Sequence, residues 1–238
     1  MCTLRRGLLL MYLSCLFTCS GTGYLAPPLL EDGVVIMRNQ CNDCNVYQRE
    51  LRRRLDNGMS VSVKQFNELF HRLNQCYELS DHMLTRHIVY QWMIEAGSIP
   101  DVRTFNYLFR GIRYTRPVQF QFISYFLDEM VKFNVFWNSV TIEEMLTLCA
   151  MHPDPNNVQT ADSWFYDVYM KREWRSPTPY VNHMVAFAYA NVYAAAGDVE
   201  GAIQIKEWVI AHYGHRWSAK TKKAFNRLFR RAFQENDL

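Results

Sequence analysis

The sequence predicts an all-α fold, and three observations carry that prediction. Apolar residues recur at helical spacing from about residue 60 onward, and no stretch alternates long enough for a half-buried strand. The chain of 238 residues contains only 10 glycines and 8 prolines, which disfavours the turn-dense all-β folds. Its hydrophobic fraction of 49% and its aromatic fraction of 15% exclude a disordered chain. The formal charge of +3 is small, so the field of the whole chain is weak.

The first 30 residues differ from the rest of the chain. They contain Arg5 and Arg6, no acidic residue before Glu31, and an apolar run over residues 8–13. This pattern fits a secretory signal peptide and also an arginine-bearing mitochondrial presequence. No later apolar run is long enough to cross a bilayer, so no membrane contact is expected. We therefore divide the chain into a targeting presequence (1–30), an N-terminal extension (31–59) and a helical repeat domain (60–238).

The first helices of the repeat domain are predicted from one-sided apolar spacing. Ser62 and Gln65 form a capping-box pattern that begins the first helix. The turn over residues 97–101 combines Gly, Pro and Asp, and it separates the second helix from the third. The predicted apolar faces are Val63, Phe66, Leu69, Phe70 and Leu73; Leu84, Ile88, Trp92 and Met93; Phe105, Leu108, Phe109 and Ile112; and Val118, Phe122, Ile123, Phe126, Leu127 and Met130.

The second half of the chain continues with helices of the same kind. Thr141 and Glu144 form another capping-box pattern, which predicts that a helix containing Met145 and Cys149 begins there. A loop with two prolines follows over residues 151–157. The remaining predicted elements are an apolar face of Val158, Ala161, Phe165, Val168 and Tyr169, helices over about 178–195 and 199–213, and a basic closing helix over about 218–234.

A short motif recurs at the start of successive helix pairs. Residues 66–69 and 105–108 each place an aromatic residue, then Asn, then Leu two positions further on, and Asn67 and Asn106 lie 39 residues apart. Equivalent points in the next two units fall near Glu143 and Asn182. A helix pair of this period cannot bury its apolar face alone and needs its neighbours. The sequence therefore predicts an α-solenoid of about four helix-turn-helix repeats with a capping helix.

Two stretches resemble the pentatricopeptide repeat family. The stretch from Ile99 to Leu108 looks like that family's junction between one repeat and the next, and Ala196 to Ala202 resembles its turn between two helices. The second pattern alone also fits the related tetratricopeptide repeats. The resemblance implies a right-handed α-solenoid of degenerate repeats that acts in mitochondrial or plastid RNA metabolism. Such repeats read one base each with a few side chains.

The resemblance also implies which side chains read the bases. In that family the reading positions are an early residue of the first helix and the last residue of the repeat. The corresponding residues, in repeats one to four, are Asn67 and Asp101, Asn106 and Asn138, Glu143 and Pro177, and Asn182 and Trp217.

Only the first two of these pairs resemble base readers, the first for uracil and the second for cytosine. Asn supplies both a donor and an acceptor for a base edge. A structural role remains open for both pairs, because Asp101 stands where a helix cap is preferred and Asn138 stands just before a predicted helix.

Basic residues without an intervening acid cluster in the closing helix. Most of them fall on the face opposite Phe225, Leu228 and Phe229, and such a face can neutralise RNA phosphates. The alternative is the solvated outer face of a capping helix, which a solenoid needs for solubility. A second run over residues 49–54 is interrupted by Glu50, and there a solvated helix is favoured. The candidate phosphate-binding residues are Arg216, Lys220, Lys222, Lys223, Arg227, Arg230 and Arg231.

No catalytic pattern is present, so we predict a protein without enzyme activity. Cys41 and Cys44 form a single CxxC pair, which cannot complete a tetrahedral zinc site. The 7 histidines form no metal or nucleophile pattern, and Gly-rich phosphate loops are missing. The 6 tryptophans lie mostly on or beside apolar helix faces, which favours packing over base stacking. No cofactor and no metal are expected.

Two functions are compatible with these observations. The first is a mitochondrial helical repeat protein in RNA metabolism, in contact with single-stranded or ribosomal RNA. Its other partners would be protein subunits of a ribonucleoprotein assembly, such as the mitochondrial ribosome or an RNA-processing complex. The second is a protein-binding α-solenoid scaffold with no RNA contact. A secreted helical protein is a third interpretation, supported only by the first 30 residues.

Overall fold

The computed structural model describes residues 42–75, 82–114, 121–151, 156–174 and 180–234. These residues divide into an amino-terminal unit that ends at Trp137 and a carboxy-terminal unit that begins at Asn138. Every regular element within these ranges is helical, so the all-α prediction is confirmed there. None of the described helices is long and apolar enough to cross a membrane.

The helices of the amino-terminal unit are α1 (Asn42–Asp56), α2 (Val63–Gln75), α3 (His82–Glu95), α4 (Val102–Arg113) and α5 (Gln121–Lys132). The apolar faces predicted for α2, α4 and α5 are buried apart from the half-buried Val63 and Phe122. In α3 the prediction is wrong in part, because Leu84 and Ile88 are only half-buried while Arg86 and Tyr90 lie in the core. Val118 lies outside the described residues.

A buried arginine ties α2, α3 and α4 together. Arg86 donates from Nε and Nη2 to Asn74 Oδ1 at 2.9 and 2.7 Å, and from Nη2 to the Leu73 carbonyl at 2.9 Å. Asn74 Nδ2 in turn donates to the Tyr107 carbonyl of α4 at 2.9 Å. Burial lowers the pKa of Arg86 to about 10, so its guanidinium stays charged at neutral pH. At Gly111 a β-carbon would overlap this guanidinium, which explains the glycine within α4.

The elements of the carboxy-terminal unit are α6 (Ser139–Met151), α7 (Asn156–Asp162), a π-helical segment (Ser163–Met170), α8 (Lys171–Trp174), α9 (His183–Ala195), α10 (Val199–Tyr213), a 3₁₀ turn (Gly214–Arg216) and α11 (Ala219–Gln234). The unit is arranged around α9, which packs against α6, α7, α10 and α11.

The π-helical segment corrects the single α-helical face predicted over residues 158–169. Its buried side chains pair five residues apart, Trp164 with Tyr169 and Phe165 with Met170, as the wider π turn requires. Val168, predicted to be in the core, is therefore only half-buried.

Two tyrosines and a phenylalanine anchor this segment to α9. The rings of Phe165 and Tyr189 stack with centroids 4.1 Å apart and planes 3° from parallel. The hydroxyls of Tyr189 and Tyr193 both donate to Asp162 Oδ1, each at 2.6 Å. Burial, followed by the hydrogen bond to Asp162, raises the pKa of Tyr189. One carboxylate thus satisfies two hydroxyls at the point where α7 becomes the π-helical segment.

Each helix that begins a predicted repeat starts at a side-chain cap. Ser62 N and Ser62 Oγ both donate to Gln65 Oε1 at 3.0 Å, so the helix start predicted at Ser62 is confirmed, with only the Gln65 half of the capping box formed. The capping box predicted at Thr141 and Glu144 is wrong. Thr141 N donates to Asn138 Oδ1 at 3.0 Å, so α6 begins three residues earlier and Thr141 is a residue of its first turn.

The caps share a second feature in the residue that precedes them. In four of the five helix starts this residue is buried, so it fixes the direction in which the chain enters the helix. These residues are Val61, Pro100, Val181 and Trp217, and they precede Ser62, Asp101, Asn182 and Ser218 respectively.

Candidate nucleic-acid interface

The underside of α11 is held by aromatic packing against α9. Phe225 and Phe229 are buried with ring centroids 4.8 Å apart, and Phe187 of α9 lies 5.5 Å from Phe229. Trp217 packs on Phe225 at 4.9 Å and donates from Nε1 to the Val181 carbonyl at 2.8 Å. These contacts set which face of α11 is turned to solvent.

The solvent side of α11 carries a basic stripe, which we define as Lys220, Lys223, Arg227 and Arg230. Spacings of three, four and three residues place the four side chains on one helix face, and all four are exposed. No acidic residue occurs in α11, and within the described residues none of the four forms an ion pair. The amphipathic closing helix predicted from the sequence is confirmed.

The other candidate phosphate-binding residues lie beside this stripe or outside the described residues. Lys222 is exposed but points away from the basic stripe, between it and the buried rings. Arg216 lies in the 3₁₀ turn before α11, where its Nε is 3.2 Å from His215 Nε2. The side chain of Arg231 lies outside the described residues.

The first pair of candidate base readers is brought together by the structure. Asn67 Nδ2 donates to Asp101 Oδ1 at 3.0 Å, and Thr104 Oγ1 donates to Asn67 Oδ1 at 2.8 Å. Asp101 also caps α4 by accepting from Thr104 N at 2.9 Å. Asn67 is only 8% exposed. This geometry supports the capping role of Asp101, and base reading by this pair stays a prediction that requires Asn67 to exchange these bonds for bonds to a base.

The second and third pairs are placed in register with the first, as far as they are described. Asn106 and Glu143 are the fifth residues of α4 and α6, as Asn67 is of α2, so the predicted equivalence holds for these three positions. Asn106 is buried, and Asn138 caps α6. Pro177 lies outside the described residues.

The fourth pair was assigned to the wrong positions, five residues early at Asn182 and one residue early at Trp217. Asn182 caps α9 by accepting from Met184 N, and the fifth residue of that helix is Phe187. Trp217 precedes the true cap Ser218, which accepts from Thr221 N at 3.1 Å. The reason is unequal spacing: the caps Ser62, Asp101, Asn138, Asn182 and Ser218 are 39, 37, 44 and 36 residues apart. The longest interval contains the π-helical segment.

A basic and aromatic surface on α2 and α4 was missed by sequence reasoning. Lys64 and Arg103 are exposed and stand three residues before Asn67 and Asn106 on their helices. Between these helices the rings of His71 and Tyr107 lie 5.7 Å apart, both half-exposed. The recurrence of a basic residue three positions before the repeated Asn is the sequence signal that could have identified this surface.

The described part of the chain contains no candidate metal site. No group of three His, Cys, Asp or Glu side chains could hold a metal ion there. Cys44 of the CxxC pair is buried, and that burial raises the pKa of its thiol to about 11, which makes it unreactive at neutral pH. Cys41 lies outside the described residues.

Comparisons with known proteins assign no family to this chain. No protein-family model matches it, and no curated protein matches it either.

Proposed function

We propose that the protein is a pentatricopeptide-like α-solenoid that contacts RNA through the basic stripe of α11. In this proposal it is a non-catalytic subunit of a mitochondrial ribonucleoprotein assembly, such as a ribosome or an RNA-processing complex. The single observation that carries the proposal is the exposed basic stripe on a helix without an acid. The mitochondrial location is supported by the resemblance to the pentatricopeptide repeat family; the acid-free, arginine-bearing first 30 residues fit a mitochondrial presequence and also a secretory signal peptide.

The stripe is suited to phosphates rather than to bases. Four cations along one helix face can each release a counterion from a single strand, which gives an affinity that falls steeply with salt. The exposed Lys64 and Arg103 on α2 and α4 supply a second basic surface with His71 and Tyr107 rings beside it. In α6 and α9 the corresponding positions hold Val140 and Met184, so this second surface is confined to the amino-terminal unit.

The proposal is tested by titrating the full chain into a labelled single-stranded RNA of mixed sequence, at low and at moderate salt. We expect binding that weakens with salt and that falls for the variant Lys223→Gln/Arg227→Gln. The control variant Arg49→Gln/Arg53→Gln removes the same charge from the exposed side of α1 and should bind as the unmodified chain does. Absence of binding at low salt would contradict the proposal.

Base reading is tested in the same titration with uridine-rich RNA. A preference for uridine that is lost in Asn67→Ala would support reading by the first pair. A binding curve that is the same for all RNA sequences would restrict the protein to phosphate contact.

Colocalisation of a fluorescently labelled full chain with a mitochondrial dye separates the mitochondrial from the secretory location.

A protein-binding scaffold is the second candidate function, and one observation favours it. Ile99 and Phe136 are 71% and 66% exposed, and each stands two residues before a capped helix start. Exposed apolar side chains at a recurring position are typical of surfaces that bind other proteins. This function would be favoured if the RNA titration shows no binding and Ile99→Ser/Phe136→Ser abolishes the association of the chain with its protein partners.

A further inference from the structure

A second surface of the carboxy-terminal unit is apolar and lies on α10. Val199, Ile203 and Ile210 are 41%, 43% and 38% exposed, although α10 packs against α9 and buries Ala202 and Val209. Together with Lys206, which occupies the third position, these residues follow the spacing i, i+4, i+7, i+11. We call this set the α10 seam. Two helices pack along each other through apolar residues at this heptad spacing, so the spacing itself indicates a helix as occupant.

The α10 seam lies on the side of α10 opposite to its contact with the preceding π-helical segment. Trp208, which is nine residues from Val199 and so on the opposite side of α10, contacts Tyr166 of the preceding π-helical segment, with ring centroids 6.2 Å apart. In the amino-terminal unit, α3 and α5 meet in the same way through Tyr90 and Phe126, 5.6 Å apart. The α10 seam is therefore the face on which one more helix could pack against α10 in the same way.

The charges around the α10 seam define the chemistry of that helix. Glu200 and Glu207 are exposed along one flank of the seam, seven residues apart. Lys206 stands within the seam, with its ammonium 5.3 Å from the ring centre of Phe229 of α11. A matching helix needs basic residues opposite the two glutamates and an acidic residue opposite Lys206.

The same charges disfavour a second copy of this chain. In antiparallel self-pairing centred on the seam, Lys206 would face Ile203 of the other copy, and each flanking glutamate would face a glutamate. Parallel self-pairing would place Lys206 against Lys206. Like charges at these positions disfavour pairing, so the seam selects a different chain. RNA is disfavoured as well, because the two glutamates repel phosphate.

We infer that the α10 seam binds an amphipathic helix of another protein, with an apolar heptad stripe, basic residues opposite Glu200 and Glu207, and an acidic residue opposite Lys206. This binding does not depend on RNA contact, since the basic stripe lies on α11 and the seam on α10. A failure of one interaction therefore leaves the other measurable.

The test uses two labelled peptides of about three heptads, long enough to be helical when bound. The matched peptide carries leucines at the seam positions, lysines opposite the glutamates and a glutamate opposite Lys206. The swapped peptide exchanges its lysines and glutamate. Binding to the full chain is measured by fluorescence anisotropy without RNA. We expect the matched peptide to bind at least tenfold more tightly than the swapped one.

Variants of the full chain then test whether the α10 seam is the binding surface. Ile203→Ser/Ile210→Ser should weaken binding of the matched peptide at least tenfold, whereas Val46→Ser/Val131→Ser, which removes exposed apolar side chains of α1 and α5, should not. Glu200→Lys/Lys206→Glu/Glu207→Lys should reverse the preference between the two peptides. Circular dichroism melting curves show that each variant is folded.

Three outcomes would overturn the inference. Equal binding of both peptides, or binding of neither, would show that the charges and the seam do not select a helix. Self-association of the unmodified chain in sedimentation velocity, lost in Ile203→Ser/Ile210→Ser, would replace the partner with a second copy. Protection of the seam in the free monomer by another segment of the same chain, detected by chemical cross-linking, would replace it with an internal contact.

Discussion

The two units stabilise their cores in different ways. The amino-terminal unit places one buried guanidinium, that of Arg86, among the helix end of α2 and the backbone of α4. The carboxy-terminal unit uses the stacked rings of Phe165 and Tyr189 and a carboxylate, Asp162, that accepts from two tyrosines. A buried charge must keep all its hydrogen bonds, whereas stacked rings depend mainly on contact area. The first core is therefore the more sensitive to the loss of one side chain.

Their surfaces differ as well. The amino-terminal unit exposes basic side chains on α2 and α4, whereas the carboxy-terminal unit has no exposed basic side chain on α6 or α9 and carries its basic stripe on α11. The difference teaches that one helical scaffold can place basic and apolar surfaces on separate helices, since exposed positions vary without cost to the core.

The largest effect is expected for Arg86→Ala. The substitution removes the hydrogen bonds to Asn74 and Leu73, leaves the Leu73 carbonyl and Asn74 Oδ1 without these donors and opens a cavity, which should lower the free energy of unfolding by about 3–5 kcal/mol. Chemical denaturation measures the change. The control is Arg103→Ala, an exposed arginine whose removal should change it by less than about 0.5 kcal/mol. Equal effects of both variants would contradict the role of the buried guanidinium.

A somewhat smaller effect is expected for Asp162→Ala. Two buried or half-buried hydroxyls lose their acceptor, which should cost about 2–3 kcal/mol. Tyr193→Phe is the comparison, because it removes one hydroxyl and leaves the other bonded, at about 1 kcal/mol. If Asp162→Ala costs no more than Tyr193→Phe, the shared carboxylate does not organise this core.

Two buried thiols report which unit each substitution opens. Burial raises the pKa of Cys44 to about 11 and that of Cys149 to about 12, so both thiols should be protected from alkylation at pH 8 until their unit opens. Arg86→Ala should speed the modification of Cys44 more than that of Cys149, and Asp162→Ala should do the reverse. Peptide mass spectrometry after timed alkylation measures both rates, and equal acceleration would show that the units open together.

A helix cap should contribute less than either core. Asn138→Ala removes the acceptor for Thr141 N at the start of α6, which should cost about 1 kcal/mol in chemical denaturation. Asn138→Asp keeps the acceptor and is the control. Equal losses in the two variants would show that the cap is not the source of the stability.

The smallest effect is a pH dependence in the amino-terminal unit. Burial lowers the pKa of His87, whose Nδ1 has no hydrogen-bond partner and whose ring packs on Phe122 and Tyr125 near Glu129. The unfolded chain therefore takes up the proton first as the pH falls below about 7, and stability should decline there. His87→Leu should flatten this decline, with the part due to the similarly lowered pKa of His183 remaining. An unchanged profile would contradict the assignment.

The sequence predicted the helices and most of their buried faces, because apolar spacing reports directly on one-sided burial. It could not predict the π-helical segment that begins at Ser163. A helix with buried residues five positions apart replaces the usual α-helical period only because the segment packs against α9. Nor could it predict that Arg86 lies in the core, because its acceptors are the Leu73 carbonyl and the Asn74 side chain on another helix. The base-reader registers failed at Asn182 and Trp217 because the repeat period is not constant.

The most direct test of the account is the salt dependence of RNA binding by the full chain. If the basic stripe contacts phosphates, Lys223→Gln/Arg227→Gln should lower the slope of log affinity against log salt by about 1.4, since each phosphate contact on a single strand contributes about 0.7. The matched variant Arg49→Gln/Arg53→Gln should leave the slope unchanged. Equal slopes for all three proteins would contradict RNA contact through α11.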